Sequence, residues 1–353
     1  MKRVIVFALV LVAACSDALE QTSSAGQVIG VVNSSDRTLS LISATDFTVT
    51  TRSWQSGSAS PTTIDGSGNT FVVPLGAADA VGVDLLLGSC GGPATLCPQP
   101  DYVIPLAPGA GATGVAIQDD SIAWIANPNA YRVTRVNYQS SDTATVAVGV
   151  YPQAVAIIGT RVFVVNSNLV GGSPAGPSWL TSFDCCGART PDSIPLTGTN
   201  ARFAVVGGDS LLYVVDAGHP GAADGKLSIV DPVSRTEVAV LNGLGESPGA
   251  AVFHPSGGRL LVASLTEGIL EVNTTIRSVT RGPGNGVKPG GHGVSGLAID
   301  LRGRVYAVDP GTGAGACVAA GTVHVLTAPP SYNEINAVPV GVCPATAAVA
   351  ATP

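Results

Sequence analysis

The sequence predicts an all-β fold built from repeated four-stranded units, and three observations support this fold class. Of the 353 residues, 44 are glycine and 25 are proline, the two poorest helix formers. Short segments that alternate apolar and polar residues, such as Lys226–Asp231, are typical of strands, and Gly, Pro, Asn or Asp separates them roughly every eight to twelve residues. The third observation is that a short apolar strand ending in Asn or Asp recurs along the chain.

The composition excludes several other classes of protein. With 45% hydrophobic and 12% charged residues, the chain is too apolar for a disordered protein. The formal net charge of -7 offers no basic surface for nucleic acid, so we expect no nucleic-acid partner. A chain of this length can bury a large core of its own, and we expect a monomer.

The first fifteen residues predict export. Lys2 and Arg3 precede an apolar run, 4–14, which is too short for a helix that crosses the roughly 30 Å of a bilayer core. We therefore interpret residues 1–14 as a signal peptide. The end of the run, 12–15, resembles the lipobox of bacterial lipoproteins, which implies cleavage before Cys15 and acylation of that cysteine. An ordinary cleavage site beside a coincidental cysteine is the alternative.

Residues 15–26 are polar and predict a tether, and residues 27–353 are expected to form one β-propeller domain. The resemblance to lipoproteins implies a protein exported to the bacterial cell envelope, with a lipid bilayer as its partner through acylated Cys15. Its location would be the outer membrane, the periplasmic face or the cell surface.

The recurring strand defines the length of the repeat. The residues that end it are Asn33, Asn127, Asn166, Asp216 and Asp309, with degenerate copies at Pro74 and Ser264. The six intervals between residues 33 and 309 average about 46 residues, the size of a four-stranded β-propeller blade. Short polar side chains at strand ends bond to their own backbone in turns, and we expect that role here.

The two ends of the chain predict how the ring closes. The first unit starts at its second strand, 28–33, with no inner strand before it. Residues 343–350 are similar to residues 151–156, which open another unit. We expect the C-terminal strand to supply the inner strand of blade one, which leaves no long sheet edge unpaired. The prediction is a seven-bladed β-propeller with four antiparallel strands in each blade.

Several segments resemble the repeats of a known family. Residues 152–166, 226–231 and 303–309 are similar to the repeats of YVTN-type surface-layer proteins and NHL-type β-propellers. The resemblance covers nearly all of residues 27–353 and implies a scaffold, not an activity. Blade two departs most from the pattern, because Pro74 stands where Asn or Asp is expected.

Six cysteines follow Cys15, and an exported protein is expected to oxidise them. Pairing by proximity along the chain predicts three disulfides, Cys90–Cys97, Cys185–Cys186 and Cys317–Cys343. Two free thiols are the alternative for the adjacent pair, because a disulfide between neighbouring residues distorts the peptide between them. A metal site at these cysteines is disfavoured, since the chain has no CxxC pair and no histidine near a cysteine in sequence.

The candidate site lies where the longest loops meet. Loops 167–177, 217–225 and 310–320 join second to third strands, so we expect them at one face of the ring. Residues just before the inner strands should surround the channel mouth on that face. The candidate ligand-binding residues are Tyr151, Asn200, Arg202, Glu246 and His292. Glu246 and His292 are also the candidate catalytic residues, because a carboxylate and an imidazole can transfer protons.

These features favour a binding or interaction module for an unidentified protein, peptide or glycan. The chain has no GxSxG, HExxH or P-loop motif, so binding is preferred to catalysis. One alternative is a metal-dependent lyase or lactonase at the channel mouth, and another is a structural cell-envelope protein. No cofactor is predicted, although a divalent cation, Ca²⁺ or Mg²⁺, would suit oxygen ligands in the central channel.

Overall fold

Seven four-stranded antiparallel sheets form a ring in the computed structural model, which describes residues 26–54, 58–86, 102–187, 189–311 and 317–351. This arrangement confirms the predicted seven-bladed propeller. Only two helical segments occur among the described residues, single 3-10 turns at Pro128–Ala130 and Pro289–Gly291. Within the same ranges, no helix has the length and apolar character needed to cross a membrane.

The strands are numbered in chain order. Blades one to three contain β1 (Gln27–Asn33), β2 (Thr38–Ser43), β3 (Val49–Ser53), β4 (Asp65–Ser67), β5 (Thr70–Pro74), β6 (Ala80–Leu85), β7 (Tyr102–Pro105), β8 (Val115–Ile117), β9 (Ile122–Asn127), β10 (Arg132–Asn137) and β11 (Thr143–Ala147). Blades four and five contain β12 (Pro152–Ile158), β13 (Arg161–Asn166), a small hairpin of β14 (Leu169–Val170) and β15 (Ser173–Pro174), β16 (Pro177–Asp184), β17 (Asp192–Thr199), β18 (Ala201–Val206), β19 (Leu212–Asp216), β20 (Lys226–Asp231) and β21 (Thr236–Asn242). Blades six and seven contain β22 (Pro248–Phe253), β23 (Arg259–Ser264), β24 (Gly268–Asn273), β25 (Ser278–Arg281), β26 (Gly296–Ile299), β27 (Val305–Asp309), β28 (Ala320–Leu326) and β29 (Glu334–Val342).

The last strand, β30 (Pro344–Ala351), closes the ring as predicted. It is the inner strand of blade one, whose sheet has the order β3-β2-β1-β30. Val28 lies opposite Ala350, and Val32 lies opposite Thr346. Ala350 packs into one apolar cluster and Ala347 into another, so β30 contributes to the core on both of its faces.

The core lies between the blades. One cluster joins Phe163 and Leu180 of blade four to Leu212 and Val214 of blade five, and the four side chains are fully buried. Because each sheet packs against a neighbour on either side, its middle strands are apolar on both faces. This packing explains why the chain needs so few charged residues.

The long loops also lie where the sequence predicts them. They connect second to third strands in blades four, five and seven, between β13 and β16, β19 and β20, and β27 and β28. The second strands run in the same sense through the ring, so the ends of the three loops share one face, which we call the loop face. Residues 312–316 of the third loop lie outside the described residues.

In blades one, three, four and five, a hydrogen bond across the sheet holds the polar residue at the end of the second strand. We call it the strand-end clasp: it joins that residue to a hydroxyl two positions inside the third strand. The pairs and distances are Asn33–Ser40 at 2.9 Å, Asn127–Thr134 at 2.7 Å, Asn166–Thr181 at 2.9 Å and Asp216–Ser228 at 2.7 Å. The expectation of a purely local turn role was therefore incomplete, because these buried groups also need partners on the next strand.

Removal of residues 344–353 should destabilise the whole domain. The deletion strips β1 of its partner and opens two apolar clusters, and the exposed edge favours aggregation. We expect the cooperative thermal transition to be lost or lowered by more than about 10 °C, measured by circular dichroism. Removal of residues 352 and 353 alone is the control, and an unchanged transition in the longer deletion would contradict ring closure by β30.

Asp216→Asn should stabilise the protein at neutral and higher pH. The Asp216 carboxyl is fully buried, and burial raises its pKa to about 7. The pKa of this carboxyl is therefore higher in the folded than in the unfolded state. Its contribution to stability is complete below about pH 4 and is lost as pH rises through about 7. Asparagine, which occupies the same position in blades one, three and four, carries no charge at any pH. We expect a gain of up to about 4 kcal/mol in the free energy of unfolding at pH 8.

The measurement is urea unfolding of wild type and variant from pH 4 to pH 8. The free energies of unfolding of the two proteins, plotted against pH, should converge at the acidic end and separate as pH rises. Asn127→Asp in blade three is the matched reverse substitution and should introduce the same pH-dependent penalty. Parallel curves for wild type and Asp216→Asn would contradict the raised pKa.

Candidate functional site at the channel mouth

A central channel of about 470 Å³ runs between the seven inner strands. Apolar side chains from all seven blades form most of its wall, including Val115, Ile157 and Val206. Among the described residues that line it, only Asp65 and Arg202 are ionisable. The channel is therefore an apolar cavity with two polar positions.

Arg202 lies at the end of the channel that opens on the loop face. It is the second residue of β18, whose first residue pairs with the last residue of β19. Solvent in the channel reaches the side chain, yet the surrounding apolar wall lowers the pKa of the guanidinium. Nε donates a hydrogen bond of 3.4 Å to Oδ1 of Asn200, and no ion pair between Arg202 and a carboxylate occurs within the described ranges. This cation is available to an anionic ligand.

Tyr151 and Asn200 shape the entrance beside Arg202. Both have left-handed backbones, with φ of 55° and 54°, directly before an inner strand. The amide of Asn200 is buried and donates to the carbonyl oxygen of Gly218 at 3.0 Å. The phenol of Tyr151 is near enough to Arg202 to oppose the lowering of its pKa. The structure thus brings together three of the five residues that the sequence predicted.

Asp65 lies deeper in the channel than Arg202, because it is opposite Val72 in the middle of β5. Its Oδ1 accepts a hydrogen bond from the backbone of Gly66 at 2.9 Å, and its Oδ2 accepts one from Ile117 at 2.8 Å. Burial raises the pKa of this carboxyl, and the two bonds lower it by a smaller amount. A single carboxylate that already accepts two bonds does not fit Ca²⁺, which takes six to eight oxygen ligands. The channel cation stays an untested prediction.

Glu246 and His292 do not form an ion pair within the part of the chain that the structure describes. The carbonyl oxygen of Glu246 accepts bonds from the hydroxyls of Ser264 and Thr266 at 3.3 and 3.2 Å, so its backbone has a structural role. His292 instead contacts Asp309, whose Oδ2 lies 2.9 Å from Nδ1.

Sequence reasoning missed the partners of His292. Asp309 ends β27, and its Oδ2 is also 3.5 Å from Nε2 of His324 on β28. Nδ1 of His324 lies 3.1 Å from Oε2 of Glu334 on β29. We call these four residues the blade-seven array. Its members come from three strands and a loop, and only the cross-strand register brings them together.

The cysteines give one confirmation and one correction. Cys317 and Cys343 form the predicted disulfide, with 5.3 Å between their Cα atoms. The predicted Cys185–Cys186 bond is absent, and the two thiols are free with their sulfurs 2.7 Å apart. The Asp184 carboxylate accepts the backbone N–H groups of Cys186 and Gly187, which holds the turn without a cross-link. Cys15, Cys90 and Cys97 lie outside the described residues.

Comparison with known proteins supports the fold. No family model matches the sequence, and no curated protein is significantly similar to it. A functionally unknown protein from Desulfotomaculum acetoxidans has a similar structure, with a TM-score of 0.65 and 13% identity over 92% of this chain and 99% of that one. AztD from Citrobacter koseri has a TM-score of 0.59 and 12% identity over 92% of this chain and 97% of that one. Virginiamycin B lyase from Staphylococcus aureus has a TM-score of 0.58 and 12% identity over 89% of each chain.

At these identities, the similarity concerns the fold alone. The chain is a seven-bladed β-propeller protein, and its function must be argued from its own residues.

Cys186 should react with iodoacetamide faster than Cys185 in the native protein. Cys186 is exposed, whereas Cys185 is buried, which raises the pKa of its thiol to about 11 and leaves little thiolate at pH 8. Mass spectrometry of timed, non-reduced digests should show alkylation of Cys186 first. Unfolded protein, in which both thiols react, is the control. If neither reacts until a reductant is added, the pair is a disulfide after all.

Proposed function

We propose that this chain is an exported, lipid-anchored β-propeller that binds a small anionic ligand at the channel mouth. The observation that carries the binding proposal is the Arg202 guanidinium, which lies in an apolar wall without a carboxylate partner in the described ranges. Export and anchoring are supported by the pattern of residues 1–15 alone.

The chemistry of the site suggests a ligand with two parts. A carboxylate can accept two N–H bonds from one guanidinium, and desolvation strengthens such a bond. An apolar body would occupy the channel, whose volume of about 470 Å³ is in the range of ligand pockets. An amphiphilic carboxylate, including the C terminus of an apolar peptide, meets both requirements. Tyr151 and Asn200 would orient the head group.

Two alternative functions have less support. A lyase or lactonase acting through Glu246 and His292 would need both side chains on one substrate, but His292 contacts Asp309 instead. A structural envelope protein would need no accessible cation in its channel, and Arg202 offers one.

The test measures the binding of matched probes by calorimetry on the purified protein. Octanoate should bind, whereas octanamide and octylamine should bind at least about tenfold more weakly, because only the carboxylate pairs with Arg202. Arg202→Gln should weaken octanoate binding by a similar factor. Arg132→Gln is the matched control, since Arg132 is exposed on β10, away from the channel.

Three results would overturn the proposal. Equal affinities for octanoate and octanamide would show that the charge is not recognised. Undiminished octanoate binding by Arg202→Gln would place the ligand elsewhere. Failure of every probe to bind would favour a structural role.

A further inference from the structure

Blade seven changes the chemistry of the strand-end clasp while keeping its geometry. In four other blades, an Asn or Asp bonds to a serine or threonine hydroxyl. In blade seven the corresponding residues are Asp309 and His324, because Asp309 lies opposite Thr322 and His324 is two positions further along β28. A titratable, metal-ligating pair thus occupies the place of a structural one.

The hydrogen bonds assign the proton on the His324 ring. The carboxylate of Glu334 can only accept, so Nδ1 of His324 carries the hydrogen that it receives. In the neutral ring, Nε2 then presents a lone pair towards Oδ2 of Asp309 at 3.5 Å. Nε2 is buried and forms no hydrogen bond, and His324 is 7% exposed. Two acceptors that face each other in a buried place require a positive charge between them.

The loop that contains Gly290 and His292 packs closely against Asp309 and His324. Gly290 has a φ of 63°, and a Cβ added there would lie 3.0 Å from Cε1 and 3.1 Å from Nε2 of His324. His292 follows from the same loop, with Nδ1 2.9 Å from Oδ2 of Asp309 and a side chain that is 52% exposed. Solvent therefore reaches the pair on the side of His292, whereas glycine backbone covers it on another side.

We propose that Asp309, His292 and His324 bind one divalent transition-metal ion of the zinc type. Ligand atoms on a tetrahedral zinc ion lie about 3.3 Å apart, close to the 2.9 and 3.5 Å that separate the two ring nitrogens from Oδ2. The three ligand atoms do not all lie within 4.8 Å of one another, so coordination by both rings at once requires the exposed His292 side chain to move towards His324. Glu334 then acts as the carboxylate that orients a ligating histidine from behind.

The charge and type of the ligands favour a transition metal. Within the described ranges, the ion pairs of Asp309 and Glu334 are with histidine rings and not with Lys or Arg, so the two carboxylates lack a permanent positive partner. Imidazole suits zinc, copper and nickel, whereas calcium and magnesium prefer oxygen ligands. This site is independent of the anion site at Arg202.

The test is zinc binding to the intact protein after treatment with a chelator. Calorimetry and metal analysis should give one equivalent of bound Zn²⁺, with Mg²⁺ and Ca²⁺ unable to compete. His292→Ala should lower the affinity at least about tenfold without loss of folding, because the side chain is half exposed. Asp309→Asn, which restores the asparagine of other blades, should lower it similarly.

His219→Ala is the matched control. His219 also pairs with a carboxylate, that of Asp224 at 2.7 Å, but it is exposed in another loop, and its loss should leave zinc binding unchanged. Equal zinc affinity in wild type, His292→Ala and Asp309→Asn would overturn the proposal. The absence of zinc binding to the folded wild-type protein would overturn it as well.

Discussion

The pairing of β30 with β1 is the constraint on which the rest of this structure depends. A propeller sheet is apolar on both faces, so an open ring would leave the outermost blades with unpaired strands and bare side chains. The C-terminal strand completes blade one and packs it against both neighbours, since Ala350 enters the cluster shared with blade two and Ala347 the cluster shared with blade seven. Closure also fixes the spacing of the inner strands, and with it the channel that holds Arg202.

The fold could be predicted because its signals are local. Strand alternation, turn residues and the repeat of about 46 residues can be read along the chain, and the missing inner strand before Val28 identified the closing strand. Tyr151, Asn200 and Arg202 were predictable as neighbours because they adjoin inner strands. The strand-end clasps and the contacts of His324 were not, because they depend on which residues face each other across β27, β28 and β29.

Departures from the repeat carry more information about function than the repeat itself. The neutral amides of Asn127 and Asn166 donate hydrogen bonds to buried hydroxyls without placing a charge in the core, which suits a structural role. Asp216 performs the same task with a carboxyl whose pKa burial raises, so blade five accepts a penalty that asparagine would avoid. Blade seven goes further and concentrates two histidines and two carboxylates next to the disulfide that holds the loop after Asp309. Arg202 and Asp309 both lie at the loop-face ends of their blades.

The direction of β1 has a consequence for how the molecule would be presented. Gln27 pairs with Ala351 at one end of the ring, and Asn33, at the other end of the strand, pairs with Pro344 beside the channel mouth. The seven residues of β1 therefore span roughly 23 Å from one face to the other. An attachment made through the residues before Gln27 would place the face opposite the loop face nearest the supporting surface. The channel mouth on the loop face would then point away from the supporting surface, and ligands could approach it from bulk solution.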